Sequence, residues 1–127
     1  MITPKVTSMK NAFEGCKVIE KIDISKFDTS ETKTMEGMFK NCNSLTSINL
    51  PTNGNMYKLK IISSLFQGCK SLTSIDFSHF DTSNVEKMNS MFYGCTNLRK
   101  LDISHFKTSK LTSLSQAFQG CTSLTFI

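Results

Sequence analysis

Five phenylalanines, Phe13, Phe39, Phe66, Phe92 and Phe118, recur at intervals of 26, 27, 26 and 26 residues. A cysteine follows each by three positions, at Cys16, Cys42, Cys69, Cys95 and Cys121. A fixed period between about 20 and 50 residues points to a stacked array, because so short a unit cannot bury its apolar face alone. The expected fold is therefore a solenoid of about five units. Their approximate limits are 1–24, 25–50, 51–77, 78–103 and 104–127, one array filling the 127 residues.

The unit is clearest in FQGCKSLTSIDFSHFDTSNVEKMNSMFYGC, residues 66–95. Six residues past each phenylalanine stands Ile19, Leu45, Leu72, Leu98 or Leu124. Nine past stands Ile22, Ile48, Ile75, Leu101 or Ile127, and eleven past stands Ile24, Leu50, Phe77 or Ile103. Ile75 and Phe77 alternate with Ser74, Asp76 and Ser78, which predicts a short strand with the apolar pair inward. In the other half, Val85, Met88, Met91, Phe92 and Cys95 share one face at helical spacing. Ser83 with Glu86 fits a capping box, Gly94 a left-handed C-terminal residue, and Pro4 after Thr3 a first helical position. These signs predict an α/β repeat solenoid, with parallel strands on the concave side and short helices or helical turns on the convex side. The second unit departs from this phrase: INLPTNGNMYKLKIISSLF adds one residue, with turn chemistry at Asn53-Gly54 and Met56 in the slot of Phe80 and Phe106.

The recurring phrase M-F-x-G-C-x-x-L-x-x-I-D-[IF]-S-x-F-D-T-S-x-V resembles the BspA-like class of leucine-rich repeats over essentially the whole chain. That resemblance implies a leucine-rich-repeat fold and a cell-surface or secreted protein of adhesion or host interaction. The array reads as a segment of a longer protein, with open ends available to further repeats or other copies.

The cysteines decide whether the repeat carries chemistry. Metal sites need converging ligands, usually as paired cysteines two to four apart, and a spacing of 26 supplies none. A nucleophile would be unique and accompanied by a histidine base. Disulfides between adjacent units are geometrically open to stacked cysteines, but five is an odd number. A ladder of buried thiols is the expectation, with Phe13, Phe39, Phe66, Phe92 and Phe118 as its structural partners. The methionines Met35, Met38, Met88 and Met91 read as core filler.

Asp23, Asn49, Asp76 and Asp102 share one outward strand position. They either bind a cation or basic partner along the row or accept hydrogen bonds from neighbouring Ser and Thr, and membership of the repeat phrase favours the second. His79 and His105 occupy equivalent positions, with nothing to complete a metal set. Asp28 and Asp81 read as turn and capping residues, and the PTNGNMYK loop (51–58) as a drifted surface turn or a partner contact.

There is no glycine-rich phosphate loop, H-E-x-x-H or G-x-S-x-G, so neither an enzyme nor a cofactor is expected. The formal charge of +5 is spread over scattered lysines, unlike a nucleic-acid footprint. No apolar run approaches the roughly 20 residues of a membrane helix, and the N-terminus lacks a signal-peptide core. What remains is a non-catalytic binding module. A protein or glycan would contact the concave face at Lys21, Asp23, Asn49, Ser74, Asp76, His79, Lys100, Asp102 and His105. The alternatives are a spacer or self-assembling stalk and an intracellular scaffold.

Overall fold

The structure is a computed structural model that describes residues 6–52 and 56–125. Thr3-Pro4, Asn53-Gly54 and Ile127 lie outside the described residues. Among the described residues four short strands form, β1 (Lys21–Asp23), β2 (Ser47–Asn49), β3 (Ser74–Ile75) and β4 (Lys100–Leu101). All pairing is parallel, with Ile22 opposite Ile48 and Ile75 opposite Leu101, one repeat apart. In each strand the central or second residue is buried and its neighbours are exposed. The alternation expected for Ile75 and Ser74 is therefore present in all four strands.

A second parallel ladder runs along the other side of each unit, through bridges linking Ser8, Thr34, Ile61, Lys87 and Ser113. It crosses the 27-residue interval without interruption, whereas β1–β2 and β3–β4 remain separate two-stranded ladders. The extra residue of the 27-residue interval is thus absorbed between β2 and Ile61.

No helix forms among the described residues, which corrects the expectation of short helices or helical turns opposite the strands. The backbone there is a run of tight turns whose amides alternate between two duties. Around Phe66, the amides of Leu65, Gln67 and Cys69 close turns onto the carbonyls three residues back, at Ile62, Ser64 and Phe66. The amides of Ile62, Ser64, Phe66 and Gly68 point along the stack instead, to the carbonyls of Lys87, Asn89, Met91 and Tyr93 at 2.7–3.0 Å. An α-helix would send every one of these amides four residues back. The stack satisfies all of them while tying each unit to the next.

This alternation requires left-handed residues two before and two after each phenylalanine. Ser64 and Gly68 have φ of 59° and 75°, at the third residue of the turns 62–65 and 66–69, as a type II turn demands. Gly94, expected to end a helix, is indeed left-handed (φ 73°), but as the third residue of the turn 92–95. The Ser83/Glu86 capping box does not form, because the Glu86 amide bonds the Lys60 carbonyl at 2.8 Å and the Ser83 amide bonds the Asp81 carboxylate at 2.9 Å.

The core lies between the two ladders. Phe39, Phe66 and Phe92 are fully buried, and with Phe13 and Phe118 they form a column of parallel rings 5.5–6.0 Å apart. Burying each such ring contributes about 1.5–3 kcal/mol. Val85, Met88, Met91 and Cys95 line the same core, as the shared face of their segment predicts, and Met56 is buried with Phe80. Thr32 takes the core position that Val85 holds elsewhere, and its hydroxyl is satisfied by the Val6 carbonyl at 2.9 Å.

Ser63 breaks the rule that buried polar groups are paired: its hydroxyl is buried with no hydrogen-bond partner. Removing an unsatisfied hydroxyl recovers its desolvation cost. Ser63→Ala is expected to stabilise the chain by about 1 kcal/mol, read from the urea midpoint. A loss of stability would show that the hydroxyl has a partner.

Candidate functional site

The strand face presents the outward side chains in rows. Lys21 sits opposite Ser47, Asp23 opposite Asn49, and Ser74 opposite Lys100. All are exposed, as are Asp76, His79, Asp102 and His105. The structure thus exposes every contact residue singled out in the sequence and holds those on the strands, Lys21, Asp23, Asn49, Ser74 and Lys100, in register.

The aspartates of this face are held by the serine two residues on. Ser25, Ser78 and Ser104 donate their amides to Asp23, Asp76 and Asp102 at 2.9–3.0 Å, and the Ser104 hydroxyl adds a bond of 2.7 Å. Each carboxylate therefore closes its own turn after the strand. Hydrogen bonds from the Ser25 hydroxyl and amide lower the pKa of Asp23, and those from the Ser104 hydroxyl and amide lower that of Asp102. The Ser78 amide leads for Asp76, with His79 and His105 adding smaller attraction. Carboxylates with depressed values stabilise the fold above their ordinary pKa of 3.8, and this contribution is lost as the pH falls further.

The two histidines differ in their partners. The His105 ring donates through Nε2 to the Phe77 carbonyl at 2.5 Å, one unit back, and packs edge-on against Phe106. His79 stays on the surface. Beside them lies a cleft of about 300 Å³ lined by His79, Asp81, Thr82, His105 and Lys107. A smaller one of about 160 Å³ is bounded by Ser25, Asn49, Pro51, Asp76 and His79. Among the described residues no three His, Cys, Asp or Glu side chains converge on a point where a metal ion would sit.

The cysteines lie away from this face. Cys42, Cys69 and Cys95 are buried, Cys16 and Cys121 half-buried, and none is in a disulfide. Cys42, Cys69, Cys95 and Cys121 each donate their Sγ hydrogen, at 3.1 Å, to a phenylalanine carbonyl of the preceding unit, at Phe13, Phe39, Phe66 and Phe92. Burial pushes the Cys42 thiol up to about 11 and Cys95 to about 12, and raises Cys69 and Cys121 as well. A thiol held neutral and hydrogen-bonded is a poor nucleophile. The sequence did not reveal this bond, although an invariant three-residue step from phenylalanine to cysteine is the signal that the thiol serves the ring's own backbone.

With this geometry in place, the family described as "Mycoplasma protein of unknown function, DUF285" matches residues 2–53 and again residues 46–126. The chain belongs to that family. No curated protein matches it. Among solved structures, a leucine-rich cell-surface protein of Faecalibacterium prausnitzii A2-165 is similar over 100% of this chain and 31% of its own, with a TM-score of 0.62 and 25% identity. A leucine-rich-repeat protein of Bacteroides ovatus ATCC 8483 is similar over 91% of this chain and 32% of its own, with a TM-score of 0.55 and 30% identity. The DUF285 chain has a leucine-rich-repeat fold, and it spans about a third of the length of each of these proteins.

Proposed function

We propose that this DUF285 chain is a non-catalytic binding module of a cell-surface protein, a BspA-like repeat segment that contacts its partner through the strand face. The observation that carries this reading is the division of labour within the repeat. Phe39, Cys42 and Leu45, with their equivalents, are consumed by the core, while Lys21, Asp23, Ser74 and Lys100 remain outward and in register and Asp102 is exposed just past its strand. Solenoids use such stacked outward positions as extended contact surfaces. The similarity to one leucine-rich cell-surface protein supports the surface location.

The test is a screen of the chain on protein and glycan arrays, repeated with Asp23, Asp76 and Asp102 all changed to Asn. Ligands held by the parent and lost by the variant are expected. A variant that keeps every ligand at parental strength contradicts the assignment to this face.

A second reading, a self-assembling stalk, is favoured by one observation. In the turn runs the amides of Phe13, Phe39, Phe66 and Phe92 all bond a carbonyl of the following unit, so the stack is polar and suited to head-to-tail growth. Sizing over a concentration series tests it, and a strict monomer throughout would contradict it.

A further inference from the structure

A cleft of about 470 Å³, roomier than the two on the strand face, lies beside the bridge ladder. Its walls are Lys33, Tyr57, Lys58, Lys60, Glu86 and Lys110, with Asn84 between them. Lys33 and Lys60 immediately precede the bridge residues Thr34 and Ile61 in adjacent units, and the Lys60 amide bonds the Lys33 carbonyl at 2.9 Å. Stacking thus places in one row two lysines that are 27 residues apart in sequence.

The charge there is only partly answered. Lys60 lies 3.9 Å from Glu86, and Lys58 is paired with Glu31 at 2.5 Å. Lys33 and Lys110 have no carboxylate within 4.0 Å among the described residues. The Lys110 amine instead donates to Asn84 at 2.5 Å, and Asn84 donates to the Tyr57 carbonyl at 2.7 Å. Tyr57 stands where three of the other units carry Ser30, Ser83 and Ser109, and it is 63% exposed. It is one of three large apolar side chains left exposed among the described residues.

We propose that this cleft binds an anionic sugar chain, with sulfate or carboxylate groups on Lys33, Lys60 and Lys110 and a ring face against Tyr57. Its volume falls within the roughly 300–1,000 Å³ typical of small-ligand sites. An acidic peptide adding as a strand would need a free backbone edge, but the amides of Lys33, Lys60, Glu86 and Thr112 already bond the carbonyls of Thr7, Lys33, Lys60 and Glu86, and one bound through its side chains would favour an arginine cluster, which the lining lacks. A nucleic acid would want several stacking rings or arginines, and this site offers one tyrosine and no arginine. The surface is separate from the strand face, so the two readings stand or fall independently.

The test is calorimetric titration of the chain with a heparin-derived octasaccharide at about 0.1 M salt, where charges more than about 10 Å apart are largely screened. Saturable binding is expected, weakened about tenfold or more in K33Q/K60Q, a loss of one charge-assisted contact or more. Y57F should bind as the parent does and Y57A more weakly, while D23N/D76N/D102N should be unchanged. An uncharged oligosaccharide of equal length should not bind. The proposal is overturned by absence of saturable binding, by a folded K33Q/K60Q that binds as the parent does, or by a thymidine oligonucleotide binding as tightly as the octasaccharide.

Discussion

Replacing Phe77 with alanine is expected to destabilise the chain by about 3–5 kcal/mol, the cost of emptying a buried phenylalanine site. Phe77 is 1% exposed and is the hub of the aromatic core. Its ring meets Phe66, Phe92, Phe80 and Phe106 edge-on at centroid distances of 5.2–6.1 Å. The first two belong to the phenylalanine column and the last two to the turns that follow the strands, so one side chain joins both halves of the core. Edge-to-face pairs add about 0.5–1.5 kcal/mol each beyond their buried area. The other units place Ile24, Leu50 and Ile103 at this position. Phe77→Ile is therefore expected to cost much less than Phe77→Ala, because only part of the cavity remains. Urea unfolding of both variants tests the argument, and an alanine variant that loses less than about 1 kcal/mol would contradict it.

Cys42, Cys69 and Cys95 are expected to react with iodoacetamide about a thousandfold or more slowly in the folded chain than in urea, since reaction needs an opening that costs several kcal/mol. Cys16 and Cys121, half-buried at the two ends of the column, should be modified first. Mass spectrometry of timed samples resolves the five sites. Comparable rates for all five in the folded chain, or a disulfide-linked peptide, would contradict the buried ladder. The same burial sets an alkaline limit on stability. The folded thiols stay protonated up to about 11 at Cys42 and about 12 at Cys95, whereas unfolded ones ionise near 9.0. Above pH 9.0 the unfolded chain therefore binds fewer protons. The stabilisation is complete below that pH and is lost as the pH climbs toward 12.

The sequence announced its stacking because apolar positions recur with the unit. The same alignment located the strands, since Ile22, Ile48, Ile75 and Leu101 alternate with polar neighbours. It could not tell a helix from a run of stacked turns. Val85, Met88, Met91, Phe92 and Cys95 report which residues face the core, and both backbones satisfy that pattern. What separates them is the direction of alternate amides, which leaves only a faint mark. Asn11, Gly37, Ser64, Ser90 and Gln116 are all left-handed, yet only one of them is glycine. The lysine cleft escaped for a different reason: its lysines look scattered along the chain and come together only when repeats are read as columns. In those columns Lys33 aligns with Lys60 and Lys58 with Lys110, and Tyr57 replaces serine.

The central claim is that the repeated phrase is a stacked structural corner whose backbone bonds run from unit to unit. Scalar couplings across hydrogen bonds, measured by NMR between amide nitrogens and carbonyl carbons, test it most directly. Couplings from Phe66 to Met91 and from Gly68 to Tyr93 are predicted. Couplings from these amides to Ile62 and Ser64, four residues back as in an α-helix, would contradict it.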